Sequence, residues 1–134
     1  MSAYDPKRPM HGVIGVLRRD DRFLLIRRGA VERAPNQWCF PGGGIEPGES
    51  EPEALVREMR EELHVEVRPG DRLMVQVKHG GGLVLHWWSA TLIDGDPHPN
   101  PAEVAELAWL TPQEVRRLPD AIPGTCAIFD FLGV

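Results

Sequence analysis

Apolar residues fall into short runs along most of the chain and into one helical stripe near its middle. HGVIGVLRR (residues 11–19) and RFLLIRR (22–28) are two such runs, separated by Asp20 and Asp21, and they predict two strands joined by a tight turn. QWCF predicts a short strand that stops at Pro41, after a loop, AVERAPN. The next ten residues, PGGGIEPGES, hold four glycines and two prolines and read as a loop. The period then changes. Leu55, Met59 and Leu63 recur every four residues with Val56 beside them, which predicts a helix with one buried face. Ser50 suits its N-cap, Glu53 completes a capping box, and Pro52 falls in the first turn, where proline is tolerated. RLMVQVKH and LVLHWWSATLI read as strands connected by Gly80–Gly82, and AELAWL as a strand after the loop DGDPHPNP. TPQEVRRL, with Thr111 as N-cap and Pro112 at the first helical position, and GTCAIFDFLG predict two short helices. Strands and helices interleave irregularly, which suggests an α+β or α/β sandwich on a mixed sheet. Residues 1–9, polar with two prolines, read as a flexible arm before a single domain spanning 10–134.

Composition narrows the function classes. The chain of 134 residues carries net charge −5, which argues against a broad footprint on long nucleic acid but leaves room for a small anion held by local cations. The polar start lacks the apolar run of a signal peptide, and no stretch is long enough for a membrane span. Cys39 and Cys126 sit among apolar neighbours without metal-ligand spacing and read as buried thiols of a reduced, cytoplasmic compartment. Trp87 and Trp88 are adjacent on a strand, so they face opposite ways, one toward the core. The histidines at 11, 79, 86 and 98 show no ligand spacing and read as ordinary.

The helix raises a question of charge. At ~100° per residue, Glu61 lies ~60° to one side of Glu58 and Glu62 ~40° to the other, so all three carboxylates share a face. Charged runs on helices are usually solvated. Here, however, the acidic face borders the apolar stripe, with Glu62 only ~20° from Leu55 around the axis. A cluster of hard oxygen ligands beside a glycine-rich loop suits Mg²⁺, which takes carboxylates, water and substrate phosphates.

Residues 43–65, GGIEPGESEPEALVREMREELHV, resemble the signature box of the Nudix hydrolase family, with Gly43, Glu49, Arg57, Glu58, Met59, Glu61, Glu62 and Val65 on the pattern. His64 departs from it; the family usually has glycine there, at the helix end, where left-handed geometry is common. The resemblance implies a Nudix-type α/β/α sandwich on a mixed sheet and metal-dependent cleavage of a phosphoanhydride bond in a nucleoside diphosphate linked to a further group. It implies Mg²⁺ or Mn²⁺ on Glu58, Glu62 and Glu61, with a backbone carbonyl at Gly43 or Gly44 completing the shell. Arg57 would orient a box glutamate, against the plainer reading of a surface cation paired with Glu61. Glu49 would lie near the metal or on the box arginine, against a solvated loop charge. Arg28 matches a substrate-contacting arginine of MutT-type members, against a solvated strand end. For the general base the spacing to Trp109 favours Glu103, with Glu106 the competitor.

The box reports chemistry rather than substrate. MutT-type enzymes read oxidised guanine with a C-terminal asparagine, and the chain's asparagines are Asn36 and Asn100. A nucleoside triphosphate or related nucleotide is the favoured substrate, ADP-ribose or a nucleotide sugar the alternative, and the enzyme would act as a monomer or homodimer. A non-catalytic Nudix-fold module is the reading of another class; such modules commonly lack box glutamates, which this chain retains.

Overall fold

The computed structural model describes residues 4–30 and 34–134; Val31, Glu32 and Arg33, inside the predicted AVERAPN loop, and the first three residues of the predicted arm lie outside the described residues. Among the described residues, seven strands form one mixed sheet: β1 (Met10–Arg19), β2 (Arg22–Arg28), β3 (Trp38–Cys39), β4 (Gly42–Gly44), β5 (Glu66–Lys78), β6 (Leu83–Asp94) and β7 (Val104–Leu110). The helices are α1 (Glu51–Leu63), α2 (Pro112–Arg116) and α3 (Ala127–Leu132). Strand order is β3-β2-β1-β6-β5, with β4 also on β1 and β7 on β2. β1 and β6 run parallel; the other pairs are antiparallel.

The alternation of β2 shows how the layers assemble. Leu24 and Ile26 join Leu55, Met59 and Leu63 of α1 in one core, while Phe23 and Leu25 join Val115, Ile128 and Phe129 from the α2 and α3 side in the other. A period-two strand thus feeds two cores, and helices cover both faces of the sheet. Trp87 is buried among the second set, whereas Trp88 faces the α1 side, so adjacent tryptophans do point opposite ways. Cys39 and Cys126 are free thiols, half-buried rather than fully enclosed. No helix among the described residues is long and apolar enough to cross a membrane.

α1 forms as its sequence dictates. The Ser50 hydroxyl accepts from the Glu53 amide at 3.2 Å, and the Glu53 carboxylate accepts from the Ser50 amide at 3.0 Å. At the other end His64 takes the left-handed conformation (φ 57°, ψ 37°) in place of a glycine, and its ring stacks on His98 at 4.4 Å. α2 keeps the Thr111 capping box but spans only Pro112–Arg116, short of Leu118.

One segment corrects the sequence reading. Gly42–Gly44, expected in a loop from composition, is a strand on β1, with Gly43 opposite Val13. β1 and β2 pair only beside their hairpin, at Arg18–Phe23 and Arg19–Arg22, and β4 takes the β1 edge that β2 leaves. The approach is so close that a Cβ on Gly42 would lie 2.1 Å from the Val13 carbonyl oxygen. Side-chain propensity could not reveal this strand, because it exists only where side chains are absent.

The parallel β1–β6 register produces a second correction, by setting His11 against Val84 and bringing it beside His86. Arg72 Nη2 can only donate, so His86 Nδ1 accepts from it at 2.9 Å, and His86 Nε2–H then donates to His11 Nδ1 at 3.0 Å. Arg72 also grips Glu51, the first residue of α1, whose carboxylate accepts from Trp88 Nε1 at 2.9 Å. Two histidines read as ordinary therefore join a network that ties β1, β5 and β6 to the start of the helix.

Burial lowers the His86 pKa below its ordinary 6.5, with Glu51 opposing and Arg72 and His11 adding to the shift. A depressed histidine is neutral in the fold and takes up a proton more readily when unfolded, so its contribution is present above pH 6.5 and is lost as pH falls through the lowered value. Chemical denaturation of wild type and His86→Gln between pH 7.5 and pH 5 should show wild-type stability falling relative to the variant. A difference independent of pH removes His86 as its source.

Candidate active site

The acidic face of α1 packs against β4. Glu58 and Glu62 are 8% and 6% exposed, a burial unusual for carboxylates. Glu62 accepts from the Gly42 amide at 2.9 Å. Glu58 lies so close over Gly43 that a Cβ there would stand 2.4 Å from its carboxyl carbon. Helix and glycine strand therefore meet without an intervening side chain, and that contact sets where both carboxylates stand.

Arg57 organises the outer half of the cluster. Its Nε and Nη2 donate to Glu49 at 2.7 and 2.9 Å, a two-point grip, while Nη1 reaches Glu58 at 2.9 Å and Glu61 at 3.3 Å. Nη2 also donates to the Gly44 carbonyl at 2.8 Å. This is more than a surface cation paired with Glu61. The grip pulls the Glu49 carboxyl down to about 2 and raises Arg57 above its already high ordinary value. Glu58 and Glu62 move the other way. Burial raises Glu58 despite Arg57, and burial together with Glu58 raises Glu62 well above the ordinary 4.5.

Glu58, Glu61 and Glu62 line a cavity of about 240 Å³ with Glu103, Arg28 and Gly42–Gly44. The structure thus brings together Glu58, Glu61, Glu62, Gly43, Gly44, Arg28 and Glu103. It leaves three others outside the cavity: Arg57 borders it, Glu49 lies beyond Arg57, and Glu106 pairs with Arg27 at 2.7 Å. A bulge between Arg27 and Arg28 in the β2–β7 ladder separates Arg28, opposite Val104, from Arg27, opposite Glu106.

Two contributors escaped the sequence reading. Gly42 supplies the amide to Glu62; its signal in the sequence is the glycine run, which composition assigns to a loop. Asn100 fastens the loop that carries Glu103 to the end of α1. Its amide and its Nδ2 donate to the Glu62 and Glu61 carbonyls at 2.9 and 3.1 Å, and the His98 amide donates to the Leu63 carbonyl at 3.1 Å. The last carbonyls of a helix lack partners within it, so a loop that supplies donors docks there. The Asn100 carbonyl in turn accepts from the Glu103 amide at 3.0 Å, and the Glu103 carbonyl from Gly29 at 2.9 Å. Nothing local in the sequence announces a contact across 39 residues.

The donor set is all hard oxygen, the buried carboxylates repel one another, and glycine leaves room beside Glu58; these residues fit a hard divalent cation. Among the described residues, no group of three or more His, Cys, Asp or Glu converges closely enough to hold an ion alone. An ion such as Mg²⁺ binds through one or two carboxylates, with waters and substrate phosphates filling the rest of its shell.

A NUDIX domain model matches residues 6–128. The chain belongs to the Nudix family. Among its relatives is the CTP pyrophosphohydrolase of Escherichia coli K12, 33% identical over 107 residues that cover 80% of this chain and 79% of that protein. The isopentenyl-diphosphate Delta-isomerase of Nocardia farcinica is 38% identical over 80% of this chain and 67% of its own length. The solution structure of the E. coli ORF135 protein superposes with a TM-score of 0.75 at 28% identity, covering 94% of this chain and 89% of that one. The Nudix domain and its hydrolase relatives make this chain a hydrolase acting on pyrophosphate bonds. Nudix hydrolases generally use divalent metals.

The raised Glu62 carries a stability signature. In metal-free protein its charge penalises the fold above pH 4.5, increasingly so up to its raised value. Glu62→Gln keeps an oxygen for the Gly42 amide and removes the charge. Its melting temperature in EDTA should exceed that of wild type at pH 7.5, and Mg²⁺ should raise it less. A variant that melts lower in EDTA, or gains as much from Mg²⁺ as wild type, contradicts the assignment.

Proposed function

We propose that the chain hydrolyses a nucleoside triphosphate to the monophosphate and pyrophosphate. The observation that carries this reading is the junction of two cavities. The acidic one shares Arg28 and Gly42–Gly44 with a larger, mostly apolar cavity of about 340 Å³, lined among others by Phe40, Leu85, Trp87 and Ile122. Phosphates suit the first and a nucleoside the second. The CTP pyrophosphohydrolase relative supports a triphosphate over ADP-ribose or a nucleotide sugar.

Glu58 and Glu62, with Glu61 and the Gly43 carbonyl, would hold Mg²⁺ or Mn²⁺, which when bound neutralises charge on the phosphate oxygens. Arg57 keeps Glu58 and Glu61 aimed inward and holds Glu49 as its counter-ion. Arg28 grips a phosphate oxygen at the junction of the cavities. Glu103 accepts the proton of the attacking water, on a loop whose docking at Asn100 fixes its approach.

Glu103→Gln should lower kcat by roughly 10²–10⁴-fold with little change in Mg²⁺ affinity. Glu106→Gln, which loses only its pair with Arg27, should keep its rate. The reverse pattern moves the base to Glu106, and two unaffected variants move it elsewhere. A panel of nucleoside triphosphates, ADP-ribose, nucleotide sugars and isopentenyl diphosphate, assayed with Mg²⁺ and with Mn²⁺, tests the substrate. Turnover of a triphosphate with released pyrophosphate is expected; turnover confined to the others, or isomerisation of isopentenyl diphosphate without phosphate release, overturns the reading.

A further inference from the structure

We propose that Lys78 reads the nucleobase, favouring bases that present a ring carbonyl and disfavouring adenine. The inference rests on the nucleoside triphosphate reading and concerns the far end of the larger cavity. Lys78 closes β5, and its Nζ donates to the Pro123 carbonyl at 2.8 Å, in the connection between α2 and α3. That bond holds the ammonium at the cavity wall. An ammonium has three donors, so two remain for a ligand. Burial lowers the Lys78 pKa, as expected where the ammonium has exchanged water for the cavity wall.

Two neighbouring polar side chains, Gln76 and Thr125, are committed to the wall itself. Gln76 Nε2 donates to the Gly124 carbonyl at 3.1 Å, and its Oε1 accepts from Trp87 Nε1 at 3.3 Å. The Thr125 hydroxyl donates to the Ile122 carbonyl at 2.6 Å. No Asp or Glu side chain stands among the described residues lining this cavity, so Lys78 meets the ligand with no carboxylate beside it. Cytosine, uracil, thymine and guanine offer a carbonyl oxygen to such a donor. Adenine has none; its acceptors are ring nitrogens, and at the edge where guanine carries its carbonyl it presents an exocyclic amine, donor to donor with the ammonium. A half-buried ammonium that finds no carbonyl on the wrong base forgoes a hydrogen bond that the right base supplies, which discriminates between them.

A phosphate-binding role fits less well. Lys78 does not line the acidic cavity, whereas Arg28 lines both. The cation placed to meet phosphate at the junction is therefore Arg28, and Lys78 stands in the cavity assigned to the nucleoside.

The test compares kcat and KM for CTP, UTP, GTP and ATP in wild type and in Lys78→Met, which keeps an unbranched apolar stem. Wild type should prefer one or more of the carbonyl-bearing bases over ATP by about tenfold or more, and the variant should lose that preference mainly through KM. Lys78→Arg should retain part of it. Equal losses for all four nucleotides would assign Lys78 to phosphate and overturn the proposal, as would a preference that survives in Lys78→Met. Calorimetric binding of CMP, UMP, GMP and AMP to the same proteins separates this proposal from the reading beneath it. If no triphosphate is turned over but the monophosphates still show a Lys78-dependent preference, the triphosphate reading fails and the base assignment stands. If Lys78→Met does not fold, Lys78→Gln takes its place in both measurements. Equal affinities for the four monophosphates in wild type overturn the base assignment.

Discussion

Two carboxylates stand against a strand of glycine, and the rest of the structure is arranged around keeping them there. Glu58 and Glu62 are nearly removed from water and lie on one helix face, one turn apart. Burial opposes the ionised form of each, and neighbouring carboxylates add to it, Glu61 and Glu103 at Glu58, and Glu58 and Glu103 at Glu62. Removed from water, such groups need partners, and each has one: the Gly42 amide for Glu62 and Arg57 for Glu58. What remains of their negative charge faces the acidic cavity, where it can attract a hard cation.

Holding that arrangement needs anchors at both ends of α1. At its start, the capping box fixes the first turn, while Glu51 is gripped by Arg72 and Trp88 from the sheet. At its end, Asn100 and His98 bring the loop before β7 onto the last carbonyls. Between them, Leu55, Met59 and Leu63 bury the apolar stripe on β1 and β2. A helix held in three places can keep repelling carboxylates in one position, because swinging them toward water would break contacts elsewhere. The second anchor has a further effect. The same loop that docks on the end of α1 carries Glu103, so the helix end and the proposed base are positioned by one set of hydrogen bonds.

The divergence of β1 and β2 links this acidic wall to the cavity for the rest of the ligand. With those strands paired only at their hairpin, β4 lies along β1 and its glycines line both cavities. The glycine strand is thus a partition between two chemically unlike spaces, one built of carboxylates and one mostly of apolar side chains. Glycine serves there because any side chain would collide with Glu58 on one residue and with the β1 backbone on the next.

The sequence by itself determined what depends on near neighbours. The cap at Ser50, the stripe of α1, the shared face of its glutamates, the left-handed turn at His64 and the hairpin at Asp20–Asp21 all follow from residues within a few positions of each other, where local geometry and side-chain chemistry decide. The box residues could be named because they match the pattern of a known family, five of them, Arg57, Glu58, Met59, Glu61 and Glu62, on one helix. Tertiary structure alone decided whatever joins distant segments. That Gly42–Gly44 is a strand depends on β1 lying against it, which composition cannot convey. That His11 meets His86 depends on a parallel register, since the two are 75 residues apart. Spacing along the chain favours Glu103 with Glu106 as competitor but cannot show where either points; the bulge at Arg27–Arg28 and the docking of Asn100 put one beside the acidic cavity and the other on Arg27. A pattern of side chains states which surfaces can be buried, but which buried surfaces meet is settled only when the whole chain packs.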